Sequence, residues 1–236
     1  MELNEYALMD AAEAGMWWYR ALHARLGTAL AGVRGPILDA GCGTGGLLAG
    51  LPGGQLFGLE YVAVAARRAA EKSGARIACG SINAMPFADG SFAAAVAADV
   101  LCHEAVAPVA ALAELRRVLQ PGGRLVVNMP AYGWLASAHD RRVHNARRAT
   151  AGSLRRQLQA AGFAGVRVRY WNALLLPLMV VQRKVLARGA AAASDVANFS
   201  PWLDAILFAV TDIERRLPGW FPAGGSILAT ATRPEI

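Results

Sequence analysis

Apolar positions along this chain follow two periods in turn. Short, nearly unbroken apolar runs at residues 37–40 (ILDA), 55–60 (QLFGLE), 75–79, 92–98 (FAAAVAA), 124–129 and 226–232 have the length and bounding turns of buried strands. Between them lie stretches with apolar residues three and four apart, at 47–51, 62–72, 108–119 and 150–161, which predict helices. Residue 162, a glycine, stops the last of these, and Ala161-Gly162-Phe163 leads into a further strand ending at Tyr170. Pro52-Gly53-Gly54 and Pro121-Gly122-Gly123 close two of the helix-to-strand passages. Strands that alternate with helices predict an α/β fold built on a mostly parallel sheet.

Two segments stand outside this alternation. Residues 2–31 read as helical, with Met16, Trp17, Trp18, Tyr19 and Leu22 crowded into one stretch. Adjacent aromatics cannot share one helix face, so either two elements meet there or part of the cluster, Trp18 in particular, covers a ligand. Between the strand ending at Tyr170 and the one starting at Ser226 the chain is far longer than an ordinary loop. It holds apolar helical stretches at 174–187 and 201–217, with a basic end at Arg183, Lys184 and Arg188 and a small-residue turn at 190–193. The expected organisation is a single domain over 1–236, with an N-terminal helical segment at 1–32 and a helical cap at 173–222.

Composition narrows the class. At 236 residues the length suits one α/β domain, and the 55% hydrophobic content is inflated by alanine. The apolar run at 173–181 is too short to span a bilayer, and the acidic start MELNEY lacks a signal-peptide layout. Cys42, Cys79 and Cys102 form no CxxC pair and read as reduced thiols, which predicts a cytoplasmic location. The net charge of +7 is carried by arginine, Lys72 and Lys184 being the sole lysines, and it favours an anionic partner. No His/Cys grouping has metal-ligand spacing.

The chemistry concentrates at ILDAGCGTGGLLAGL, residues 37–51. A strand ends in Asp39, a loop with Gly41, Gly43, Gly45 and Gly46 follows, and a helix begins. Glycines allow a sharp turn and close approach of a ligand. Gly41-x-Gly43-x-x-Gly46 with Glu60 further on fits a dinucleotide fingerprint, but Asp39 argues against it, because a carboxylate beside the loop is unfavourable next to a pyrophosphate. It suits a ligand bearing an ammonium and a sulfonium. ILDAGCGTGG resembles the first motif of class I S-adenosylmethionine (SAM)-dependent methyltransferases. Met85-Pro86-Phe87, Gly90-Ser91-Phe92 and LQPGGRL at 119–125 extend the resemblance over about residues 36–130. The whole chain is similar to a type 11-like bacterial subgroup with a Trp-Trp segment, a His-Asp/His-Arg-Arg loop and a late helical insertion.

This resemblance implies a Rossmann-like, seven-stranded sheet of order 3-2-1-4-5-7-6, with strand seven antiparallel, helices on both sides and a helical insertion between strands six and seven. It implies SAM as cofactor and S-adenosylhomocysteine as product. Asp39, Gly41, Cys42 and Gly43 would line the loop, Glu60 and Tyr61 the ribose end, Ser81 and Ile82 the adenine, and Asp99 and Val100 the end of strand four. The chain departs from the family pattern at Ser81 and Ala93, where acids are common; Ser81 can still accept one hydrogen bond.

The acceptor side is expected in residues 130–149, PAYGWLASAHDRRVHNARRA. Tyr132, Trp134, Arg147 and Arg148, with Trp18 and His103, are the candidate substrate-binding residues, since functional side chains gather in loops past strand ends. His139, then His144, are the candidate bases for an oxygen nucleophile, with Asp140 fixing a tautomer. Were 139–148 helical, His144 would share a face with Arg147 or Arg148, and the arginines would clamp an anionic acceptor. The expected reaction is methyl transfer to a small-molecule or lipid-like acceptor, with peripheral membrane contact through the cap. The rival readings are an RNA methyltransferase, disfavoured by the lack of an appended RNA-binding domain, and a non-catalytic SAM-binding partner subunit.

Overall fold

A computed structural model of the chain describes residues 3–184, 199–217 and 221–235; side chains at 3, 4, 138, 139, 183 and 184 are excepted. A seven-stranded sheet has the order β3-β2-β1-β4-β5-β7-β6, as expected. Its strands are β1 (Ile37–Ala40), β2 (Leu56–Glu60), β3 (Arg76–Cys79), β4 (Phe92–Ala98), β5 (Leu119–Pro130), β6 (Ala164–Trp171) and β7 (Ser226–Thr232). Neighbours are parallel except for β7, which runs antiparallel to both β5 and β6.

The central strand β4 is apolar throughout because both its faces are covered. Ala95 and Ala97 enter the core formed with α5 (Pro108–Val118) and α7 (Ala151–Ala160), whereas Ala94 and Val96 enter the core formed with α2 (Trp17–Leu30). The helices start and stop on local signals. Pro108 opens α5, Thr150 and Ser153 form a capping box on α7, and Gly74, at φ 66°, ends α4 (Ala63–Ser73).

The N-terminal segment is two helices. α1 (Leu3–Ala12) and α2 break apart at 13–16, just before the tryptophans, so the aromatic cluster marks a meeting of two elements. Trp17 joins an apolar cluster with Leu175 and Leu207, and Trp18 stacks on Trp171 at 6.2 Å between ring centroids. α2 therefore braces the sheet together with α9 (Pro201–Arg216). The insertion between β6 and β7 contributes α8 (Leu176–Lys184) and α9; the predicted turn at 190–193 and Arg188 lie outside the described residues. Glu214 of α9 accepts the backbone N–H groups of Asn172, Ala173 and Leu174 at 2.7, 2.7 and 3.1 Å, and faces Arg25 of α2 at 3.4 Å.

Candidate active site

At the carboxyl ends of β1 and β2 the glycine loop turns into the short helix α3 (Gly46–Gly50). Gly41 has φ 97° and packs directly on Val100, so a side chain at 41 would collide with it. Glu60 ends β2 buried, with Gly43 N donating to its Oε2 and Val62 N to its Oε1, both at 3.0 Å. Asp39 is buried beside it; burial, then the charges of Glu60 and Glu13, raise its pKa from 3.8 to about 7. Ile82 is buried, Ser81 half-buried with its Oγ accepting from Asn83 N, Cys42 buried and Tyr61 exposed.

Helix α1 lies across this end of the sheet. The Tyr6 hydroxyl donates to Glu60 Oε1 at 2.9 Å, and Met9 approaches Gly43 so closely that a Cβ there would meet its methyl group. Thr44 donates to Glu13 at 2.6 Å, and Lys72 of α4 pairs with both Glu13 and Asp10. Nothing in the local pattern of residues 3–13 announces these contacts, because each partner is brought in by topology.

The acceptor-side expectations are placed as follows. Ala131 and Ala149 pair, closing residues 131–149 into a loop, which packs on the segment after β4 through Ala146 N and Arg147 N to the Cys102 carbonyl. Helical structure within the loop ends with α6 (Ala138–Arg142), and His144 follows at φ 57°, exposed. A shared helical face for His144 with Arg147 or Arg148 is thus not formed. Arg148 makes a bidentate pair with Asp140 at 2.8–3.1 Å and donates to the Ala131 carbonyl, which fixes the loop rather than leaving a free clamp. Arg147 donates to the His103 carbonyl at 2.5 Å. Burial lowers the pKa of His103, whose Nδ1 is buried without a hydrogen-bond partner. The His139 side chain lies outside the described residues. Tyr132, Trp134 and Tyr170 stack at 5.3–5.7 Å between centroids, Trp134 remaining 50% exposed. Trp18 stands at the α2–β6 brace.

Asp99, directly after β4, has φ 55°, and Asn128 Nδ2 donates to both its carboxylate oxygens at 3.0 Å. Asp39, Glu60 and Glu13 crowd carboxylates around the glycine loop, an arrangement that fits a cationic ligand and opposes a pyrophosphate.

The family model described as "Methyltransferase domain" matches residues 38–127, the stretch that carries this loop and strands. Residues 38–127 of the chain are thus similar to a methyltransferase domain. It is 33% identical to 24-methylenesterol C-methyltransferase 2 of Oryza sativa subsp. japonica over 147 residues, covering 54% of this chain and 39% of that protein. The chain spans 29–39% of the length of the curated relatives it matches. Among solved structures, a SAM-dependent methyltransferase of Thermotoga maritima, described as a possible histamine N-methyltransferase, has a TM-score of 0.63 at 18% identity, covering 98% of this chain and 95% of that one. Geranyl diphosphate C-methyltransferase from Streptomyces coelicolor A3(2), with geranyl diphosphate and S-adenosyl-L-homocysteine, has a TM-score of 0.60 at 15% identity, covering 91% and 79%. At such identities the likeness is one of fold. Among the described residues no His/Cys/Asp/Glu group could hold a metal, and no helix is long and apolar enough to cross a membrane.

Proposed function

We propose that this chain transfers the methyl group of SAM to a small, largely apolar acceptor at oxygen, with the cofactor held at the carboxyl ends of β1–β4. The carrying observation is the Asp39 carboxyl, buried beside the buried Glu60 carboxylate at the glycine loop and raised by that burial and by the neighbouring Glu60 and Glu13 charges, a state that a bound cation relieves. Glu60 is the ribose acceptor in this reading, Ile82 packs on the adenine, Ser81 accepts from it, and Gly41, Cys42, Gly43, Tyr61 and Val100 line the channel. SAM supplies an electrophilic methyl on sulfur. The protein's work is to align the acceptor and exclude water.

Small acceptors with an apolar body, with or without an anionic head, are supported by the sterol and geranyl diphosphate enzymes among the similar proteins. Tyr132, Trp134, His103 and Arg147 form the acceptor side. Residues 1–236 act as one domain in this reading, with 173–222 as its cap. A membrane-surface site is favoured by the apolar stripe Trp202, Ile206, Ile213 and Leu217 along α9, and Leu174, Leu178 and Val181 at α8 are also about half exposed.

Calorimetry of SAM binding to Asp39→Ala and Glu60→Ala proteins tests the cofactor site; Glu60→Ala should lose about 1.5–3 kcal/mol. Unchanged affinity in both removes the reading. Transfer of labelled methyl from SAM into lipid, small-molecule and RNA fractions in parallel identifies the acceptor class, and label in RNA alone would refute the apolar acceptor. Liposome flotation of Trp202→Ser and Ile206→Ser proteins tests the surface site, with reduced flotation expected.

A further inference from the structure

Alternation along β4 would send an extended residue 99 to the α5 side, following Ala95 and Ala97. The left-handed backbone of Asp99 breaks that alternation and brings its carboxylate to Asn128. A non-glycine residue pays strain for this conformation, and such strain persists where surrounding structure enforces it, often at functional sites.

The enforcement is visible. Asn128 is fully buried on β5, and its Oδ1 accepts the indole N–H of Trp171 at 2.8 Å. An indole N–H can only donate, so the amide cannot flip and its NH2 group must face Asp99. Trp171 is itself held by Trp18 and by the Arg25 guanidinium, 4.5 Å from the ring. Arg25 donates to the Thr211 carbonyl at 2.7 Å and pairs with Glu214 of the insertion. A buried polar chain thus runs from α9 to the end of the central strand.

Asp99 also stands at a boundary. Strand order places the adenine-side and ribose residues at β3 and β2 and the glycine loop at β1; β4 comes next, and the acceptor loop follows β5. The Cys102 thiol, one turn from Asp99, donates to the Asp99 carbonyl and to Asn145 of that loop.

Resting on the methyltransferase reading, we propose that Asp99 takes the acceptor's proton, and that Asn128 and Trp171 are positioning residues that aim its carboxylate. As the acceptor oxygen bonds to the methyl carbon and the carbon–sulfur electron pair stays on sulfur, the O–H proton passes to Asp99 Oδ. The carboxylate and sulfonium charges disappear together. Burial raises the Asp99 pKa from 3.8 to about 6, against the lowering by Asn128 and Arg148, so the base is charged at neutral pH. The charged and titratable groups facing it are Tyr19 of α2, Cys102, and Arg148 and Asp140 of the loop after β5.

The test combines Asp99→Asn, Asn128→Leu, Trp171→Phe, His103→Gln, His139→Ala and His144→Ala proteins. Methyl transfer from labelled SAM into the extract fraction that the wild type labels is followed against pH. SAM binding is measured by calorimetry, and the Asp99 carboxyl is titrated by carbon-13 NMR. Expected are a fall in turnover of about a hundredfold or more in Asp99→Asn, with SAM affinity held within about tenfold. In Asn128→Leu the lowering contact is gone, so both the acid limb of the rate and the carboxyl titration move to higher pH, with a smaller move in Trp171→Phe. Normal turnover in Asp99→Asn, loss of its SAM binding, or loss of turnover confined to a histidine variant overturns the assignment. A wild-type chain that binds no SAM overturns the methyltransferase reading first, and this inference with it.

Discussion

Replacing Tyr6 by Phe probes the contact between α1 and the ribose-binding carboxylate. Glu60 Oε1 accepts from the Tyr6 hydroxyl at 2.9 Å and from Val62 N at 3.0 Å, while Oε2 accepts from Gly43 N at 3.0 Å. A carboxylate offers about four lone-pair sites, so three donors leave roughly one. Two ribose hydroxyls need two, and the phenol must therefore give way when SAM binds. A hydrogen bond to a charged acceptor contributes about 1.5–3 kcal/mol. Tyr6 is half-buried and its freed hydroxyl can reach water, which returns part of that. The net penalty on binding is then about 1–1.5 kcal/mol, and Tyr6→Phe should bind SAM roughly 5–15-fold more tightly. Calorimetry with SAM and with S-adenosylhomocysteine measures it, and both ligands should gain alike because they share the ribose. Weaker binding in the Phe protein would refute the reasoning, since it would mean that the hydroxyl stays with the ligand.

Two further outcomes follow from buried carboxylates. The Asp39 pKa is raised from 3.8 to about 7, so the folded protein binds the extra proton and this group's contribution to stability falls as pH rises from about 4 to about 7; Asp39→Asn should melt higher than the wild type above neutral pH without SAM, and a lower melting temperature there would contradict the sign. Glu214→Ala leaves a buried Arg25 unpaired and removes the acceptor for backbone N–H groups at 172–174, which should cost about 3–5 kcal/mol in urea unfolding, or roughly 6–20 °C in Tm; a loss under about 1 kcal/mol would show that water replaces the carboxylate.

The sheet was legible because its signals are local. β4 and β7 run over the residues their apolar runs define, and strand order followed from the motif resemblance. Helix and strand ends moved by a residue or two, as at α4 and β6, where turn geometry outweighs periodicity. The arginines at 147 and 148 read as an open clamp because sequence spacing does not reveal that Arg148 and Asp140 fold back on each other. α6 stops at Arg142, so the condition under which His144 would share a helical face with Arg147 or Arg148 is not met, and no cap signal in the sequence marks that stop. Arg25–Glu214 and Tyr6–Glu60 join residues far apart in sequence, and only the topology brings them together. Asp99 could be placed at a strand end, but not its left-handed backbone, which depends on Asn128 and Trp171.

The Glu214 anchor bears on how this scaffold can be engineered. Where β6 ends, three consecutive main-chain N–H groups receive their acceptor from a helix that begins thirty residues later in the chain than Trp171. The late insertion is therefore not a detachable cassette. A shortened version, or one grafted from a related enzyme to change acceptor preference, would have to bring its own buried carboxylate to that spot, both to receive those N–H groups and to pair with the Arg25 that α2 keeps in place, or leave the edge strand β6 frayed.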